Sequence, residues 1–391
     1  MKLAAVHRRH FIFLNIAHVF NHYLVLILPT VALFLHQQWA MSYAHLLKLG
    51  SLGAFTYALG VMPAGWLADK IGRVKVMTVY FFGLGIFSLL AGISQTPLQL
   101  MIAVAGIGFF AASYHPVGTS LVYGLSSQPS RLMAINGVSG NIGLALAALG
   151  TSYISHHLGW RYSFIIPGLL AIIMGLFYWW FTASNDLRTS LAEPNHSDDG
   201  FAVPKLIKAF SCILLISICG GLIYNSMTTA LPKILLETSL FQHDSMIKIG
   251  GVATLMLAAA SLAQLIAGEL LMKFKPVLIL GMILLCESIA AILLYLSPHS
   301  LVFIFAILVF TFAQIPVNDF IIGQCAPAKW RSRLYALKYT IVLITGVIAY
   351  WLIALTLQWH NDFDFMYLIL AGVMMMSLPA VFLLYQLIKH R

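Results

Sequence analysis

Apolar runs of roughly 20 residues, separated by short polar breaks, recur along almost the whole chain. Coiled as an α-helix at about 1.5 Å per residue, such a run matches the hydrocarbon thickness of a bilayer. Barrel strands are about 10 residues long and alternate in polarity, so the pattern predicts helices. Twelve spans are predicted, near 11–35, 46–68, 76–94, 98–123, 133–156, 162–182, 208–236, 247–270, 276–297, 301–323, 335–357 and 365–388. The first is longer than a signal-peptide core and has no small-residue cleavage site after it, so it is expected to persist as a mature helix.

Composition narrows the class. Of 391 residues, 61% are hydrophobic and only 9% charged, whereas soluble domains carry roughly a quarter charged residues. A water-exposed globule is excluded, and an all-α membrane protein is expected. With the amino terminus inside, the inner loops hold Lys2, Arg8, Arg9, Lys70, Arg73, Lys75, Arg131, Arg188, Lys205, Lys208, Lys273, Lys275, Lys329, Arg331, Arg333, Lys338, Lys389 and Arg391. Only Lys48, Arg161, Lys233 and Lys248 fall outside, so 18 of the 22 basic residues share one face. This is the positive-inside bias, and it predicts both termini in the cytoplasm. The net charge of +10 therefore reports topology and calls for no nucleic-acid partner.

The two halves resemble each other. A shift of 203 lays Leu52–Gly65 over Leu255–Gly268, Lys70 over Lys273 and Pro29 over Pro232; a shift of 202 lays Ser130-Arg131-Leu132 over Ser332-Arg333-Leu334. Collinear matches at a nearly constant offset predict parallel six-helix repeats. The long polar stretch with Asn185, Asp186, Glu193, Pro194, Asp198 and Asp199 reads as a cytoplasmic linker. The expected organisation is an N-terminal bundle over 1–182, a linker over 183–205 and a C-terminal bundle over 206–391.

Polar groups inside the spans mark candidate chemistry, because a charge at the bilayer centre costs about 2.5–3.5 kcal/mol on the insertion scale. Asn15, His18 and His22 fall on one helical stripe, with Asn21 beside them. They either bind a solute or exchange protons, or they serve packing between helices. His115, after Tyr114, precedes Pro116, which frees a backbone carbonyl and bends its helix. Tyr224 and Asn225 occupy the matching region of the seventh span. Asn318 and Asp319 follow Pro316, and Lys338 is the expected counter-ion of Asp319. That pair is either a proton-coupled gate, a permanent structural ion pair, or one in which Lys338 binds an anionic substrate. Glu287 reads as a protonated packing residue or a second proton site.

His18 and His22 at four-residue spacing could share a metal, with His115 approaching them. There is no HExxH, no paired CxxC and no carboxylate-rich loop, so no resident metal is expected. A transported metal or metal chelate stays open. Cys212, Cys219, Cys286 and Cys325 read as small buried thiols. The sequence has no P-loop and no GxSxG motif, so neither an enzyme nor a resident cofactor is expected.

The turn Gly65-Trp66-Leu67-Ala68-Asp69-Lys70-Ile71-Gly72-Arg73-Val74-Lys75 resembles the loop between helices 2 and 3 of the major facilitator superfamily. Gly159-Trp160-Arg161-Tyr162-Ser163-Phe164 is similar to the turn that precedes helix 6 there. Gly137, Gly140, Gly143 and Gly150 are similar to its antiporter glycine run, without the proline. Asn21-His22 together with His115-Pro116 looks most like the fosmidomycin-resistance branch. The resemblance implies two pseudo-symmetric six-helix bundles, with helices 1, 4, 7 and 10 lining a central cavity. It also implies a conformational latch. Asp69 would cap a neighbouring helix, with Arg73 and Lys75 as local partners or headgroup contacts. Gly65 would permit close packing against the other half, and Gly72 the tight turn.

The function expected from this resemblance is secondary active transport by alternating access in a bacterial inner membrane. Proton-coupled antiport of a small, drug-like solute by a monomer comes first. Import of a nutrient, a metabolite or a metal chelate such as a siderophore is the alternative, and a receptor without transport is the third reading.

Overall fold

The computed structural model describes residues 4–126, 130–185, 201–241 and 243–388. Among these residues all regular secondary structure is helical, and twelve helices are long and apolar enough to cross a membrane. They are α1 (Ala5–Gln38), α2 (Tyr43–Ile71), α3 (Arg73–Ile93), α4 (Pro97–Gly124), α5 (Arg131–Leu158), α6 (Tyr162–Ala183), α7 (Val203–Glu237), α8 (Met246–Leu271), α9 (Pro276–Leu296), α10 (Leu301–Cys325), α11 (Arg333–Trp359) and α12 (Asp364–Ile388). This is a multi-pass membrane protein. Helices satisfy every backbone amide internally, which lipid demands. Trp180 (68% exposed), Met282 (69%) and Phe382 (66%) leave apolar surface outward, a cost in water and none against acyl chains.

Local sequence explains where the helices begin, bend and stop. At the start of α2, the Ser42 hydroxyl accepts the His45 amide at 3.2 Å. A reciprocal capping box of Thr96 and Gln99 opens α4, with Pro97 in its first turn. Gly72 ends α2 at φ 96°, where a side chain would be strained, so α3 can start in the next residue. Pro29 has no N–H to give the Val25 carbonyl, and α1 breaks its ladder at Leu26.

The chain divides into two compact units, Met1–Pro194 with Asp244–Thr254, and Asn195–His243 with Leu255–Arg391. Within the first, α2 packs on α4, α3 on α6, α1 on α5, and α3 on α4. Within the second, the same scheme recurs six helices later: α8 on α10, α9 on α12, α7 on α11, and α9 on α10. Most of the expected linker, including Asp186, Glu193, Pro194, Asp198 and Asp199, lies outside the described residues.

One expectation needs correction. Cys286 is exposed, unlike the buried Cys212, Cys219 and Cys325; it falls on the outward face of α9, opposite the face that meets α10 and α12. Asp69 makes no ion pair with Arg73 or Lys75 among the described residues. It is exposed in the last turn of α2, beyond which Gly72 redirects the backbone.

Candidate functional site

Buried polar side chains gather in each unit separately. In the first, α1 carries Asn15, His18 and His22 on the face that meets α4 and α5. His18 Nδ1 lies 2.7 Å from the Asn136 carbonyl of α5. A carbonyl only accepts, so Nδ1 holds the proton and Nε2 presents a lone pair. His22 Nε2 approaches that lone pair at 3.2 Å. The His18 ring stacks on Tyr114 with centroids 4.4 Å apart, while His115 stands edge-on at 5.6 Å from His18 and 5.7 Å from His22.

The surrounding bonds hold these rings. The Tyr114 hydroxyl donates to the Leu14 carbonyl at 2.9 Å and accepts from Asn136 Nδ2 at 2.8 Å. Asn136 Nδ2 also donates to Asn15 Oδ1 at 3.0 Å, as the Ser139 hydroxyl does at 3.1 Å. Asn21 donates to the Ala111 carbonyl at 2.7 Å and accepts from the Tyr57 hydroxyl at 2.8 Å. Asn15 Oδ1, the Asn21 side chain and the Tyr114 hydroxyl therefore join helices. His22 and His115 are only partly buried.

Two backbone features bring these groups together. Pro116 cannot donate to Ala112, and α4 takes a π-helical turn over Tyr114–Gly118, with the Thr119 N–H reaching back to Tyr114. The extra residue in that turn rotates His115 relative to a regular helix. The Thr119 hydroxyl donates to the His115 carbonyl. On α5, a Cβ at Gly143 would fall 2.2 Å from the Val19 carbonyl, and one at Gly140 would fall 2.6 Å from His18 Nε2. Gly140, Gly143 and Gly150, which faces Tyr23, thus form the strip along which α5 touches α1, while Gly137 lies off it.

The second unit holds two groups. Lys338 Nζ of α11 donates to Asp319 Oδ1 of α10 at 2.7 Å, and the Tyr339 hydroxyl donates to Oδ2 at 2.8 Å. Tyr335 donates to the Asp319 carbonyl at 2.6 Å. One helix away, Glu287 of α9 is fully buried; its carboxyl accepts from the Thr311 hydroxyl at 2.6 Å and from Gln314 Nε2 at 3.2 Å, both on α10. Gln314 Oε1 and Asn318 Oδ1, one turn apart, are buried with no partner, a rare condition for acceptors. Asn225 is engaged within its unit, donating to the Gly221 carbonyl at 2.8 Å and to the Thr345 hydroxyl at 3.1 Å. Tyr224 packs edge-on against Phe312 at 5.6 Å.

Of the remaining candidates, Gly65 has Pro116 Cβ as its nearest neighbour, 3.8 Å from where its own Cβ would stand. Gly72 supplies the positive-φ turn, and Lys75 is exposed. A cleft of about 340 Å³ in the second unit, lined in part by Lys275, Gln324 and Tyr385, contains none of the candidate pathway residues. Sequence reading missed Asn136, Tyr57, Thr311, Gln314 and Tyr339. Thr311, Gln314 and Asn318 form a polar stripe at helical spacing in an otherwise apolar span, a signal available to periodicity alone.

Twelve membrane helices packed as two copies of one six-helix scheme match an architecture of parallel six-helix repeats. The sequence pattern of the Major Facilitator Superfamily matches residues 11–243, and the chain belongs to that family. It is 26% identical over 164 residues to a gallate transporter of Pseudomonas putida, covering 41% of this chain and 36% of that protein. It is 28% identical over 164 residues to a gentisate transporter of Corynebacterium glutamicum, covering 40% and 36%. It is 30% identical over 125 residues to a puromycin resistance protein of Streptomyces alboniger, covering 31% and 25%. The matched part thus spans about a third or less of the length of these curated relatives. Solved structures share the fold over nearly the full chain. A bacterial homolog of the human lysosomal transporter Spinster, inward-facing and occupied, has a TM-score of 0.73 at 16% identity, covering 98% of this chain and 96% of that one. A POT family transporter in complex with 5-aminolevulinic acid has a TM-score of 0.77 at 12% identity, covering 96% and 94%.

Proposed function

We propose that this protein is a proton-coupled secondary transporter of a small organic acid, working by alternating access between its two six-helix halves in a bacterial inner membrane. Both termini would be cytoplasmic, and the working unit a monomer. The observation that carries the reading is the Lys338–Asp319 pair, a buried ammonium whose only carboxylate partner among the described residues is Asp319. A carboxylate solute and Asp319 would compete for the same ammonium. Protonating Asp319 frees Lys338 for the solute, and solute release lets the pair re-form, so charge is never left unpaired in the membrane. Relatives named for gallate and gentisate transport agree with an organic acid as cargo. Import is the direction proposed here, in place of the efflux expected first from the sequence.

Efflux of a drug-like solute is the second reading. A relative named for puromycin resistance supports it, as does the resemblance of Asn21-His22 and His115-Pro116 to the fosmidomycin-resistance branch. Proteoliposomes with an imposed pH gradient separate the two. Uptake of a labelled aromatic acid, driven by an inward proton gradient and abolished in Asp319→Asn, is the expected result. Proton movement unchanged in Asp319→Asn would remove that residue from coupling, and puromycin-driven proton exchange without acid uptake would reverse the direction.

A further inference from the structure

The three histidines of the first unit have an arrangement that solute hydrogen bonding does not require. One imidazole nitrogen from each of His18, His22 and His115 lies within 4.8 Å of the other two. His18 and His22 bring their Nε2 atoms to 3.2 Å. Nitrogens bound at about 2.0–2.1 Å to one tetrahedral ion stand about 3.3 Å apart, close to this separation. The proton on His18 is committed to Nδ1 by the Asn136 carbonyl at 2.7 Å, so Nε2 faces the cluster as a lone pair. A second hydrogen bond of this kind, on the nitrogen away from the ion, is what orients histidine ligands at metal centres.

The surroundings suit an ion held by neutral imidazoles. Tyr114 stacks on His18 and Tyr57 on His115, and among the described residues no carboxylate joins the three histidines in their cluster. A donor set of three imidazoles without carboxylates selects zinc, cobalt, nickel or copper over magnesium and calcium. Rigid positioning is also built in. His18 and His22 are one turn apart on one helix, His115 is carried on the π-helical turn, and Gly140 leaves the space that the His18 ring fills.

We infer that His18, His22 and His115 form a binding site for one divalent transition-metal ion, with a fourth position left for water or an oxygen of the transported solute. This departs from the expectation of no resident metal, which rested on the lack of standard metal-binding motifs, although the approach of His115 to the α1 pair was itself expected. The inference depends on the geometry of the first unit alone and stands apart from the transport reading.

The test uses the full chain purified without a polyhistidine tag, stripped with chelator and titrated with Co(II). One Co(II) per chain is expected, with the strong visible absorption of a four-coordinate ion, displaced by Zn(II). His22→Gln and His115→Gln keep side chains of similar size and should each weaken binding at least tenfold. His45→Ala, an exposed histidine outside the cluster, should leave it unchanged. Absence of Co(II) binding to the unsubstituted protein would overturn the site. Binding that survives both glutamine substitutions would overturn it as well. Because the unsubstituted protein alone can give a negative answer, a variant that fails to fold does not rescue the proposal.

Discussion

Lys338 and Asp319 sit on different helices and meet at 2.7 Å, with the lysine side chain 6% exposed and the aspartate 27%. Removing one member strands a charge that neither lipid nor the protein interior can solvate. Lys338→Ala and Asp319→Ala should therefore each destabilise the protein, toward the lower end of about 3–5 kcal/mol because Asp319 is partly open to solvent. The double variant Lys338→Met with Asp319→Leu should recover most of that loss, as read by thermal unfolding in detergent. A loss in the double variant equal to the sum of the two single losses would mean that the two charges are not coupled.

Glu287 offers a contrast within the same unit. Its carboxyl receives two hydrogen bonds from α10, while Gln314 Oε1 beside it has no donor. Glu287→Gln brings an amide N–H, and a flip of the Gln314 amide would satisfy it. We expect a cost below about 1 kcal/mol for Glu287→Gln and about 1–3 kcal/mol or more for Glu287→Ala, which leaves Thr311 and Gln314 unpaired. Thermal unfolding of the two variants side by side checks the order.

Glycines on α5 should differ sharply in tolerance. A Cβ at Gly143 meets the Val19 backbone at 2.2 Å, whereas one at Gly137 meets nothing within 4 Å. Gly143→Ala should force α1 from α5 and lower the unfolding temperature. Gly137→Ala should be neutral or stabilising by about 0.5–1 kcal/mol through helix propensity. Similar behaviour of the two variants would contradict the close contact.

Pro116 controls where His115 stands. Pro116→Ala restores an amide able to bond Ala112, removing the reason for the π-helical turn at Tyr114–Gly118. His115 would then rotate away from His18 and His22. Co(II) affinity should fall at least tenfold with little change in helix content by circular dichroism. Retained affinity would show that the turn does not depend on the proline.

Some of this was legible in one dimension. Hydropathy located all twelve spans, because lipid forces each crossing segment to be both long and apolar. The turn at Gly72 could be read from a glycine between two helices, and the stripe Asn15, His18, His22 from its spacing. Asp319 stands out as a carboxylate inside an apolar span, which calls for a counter-ion, and Lys338 is the cation expected to supply it. Asp69 forms no ion pair with Arg73 or Lys75 among the described residues, and its exposed position at the end of α2 gives little desolvation to drive local pairing.

Sequence by itself determined that this chain must cross a bilayer repeatedly and that its two halves follow one plan, because apolar length and periodicity are properties of consecutive residues. Which polar groups meet was decided only by tertiary structure. Asn136 reaches His18 because glycines let α5 approach α1, and His115 joins the pair because a proline turned one helix by an extra residue. Helix rotation and backbone approach depend on packing between distant segments. A ring nitrogen's neighbours are set by those two quantities, which no local pattern along the chain encodes.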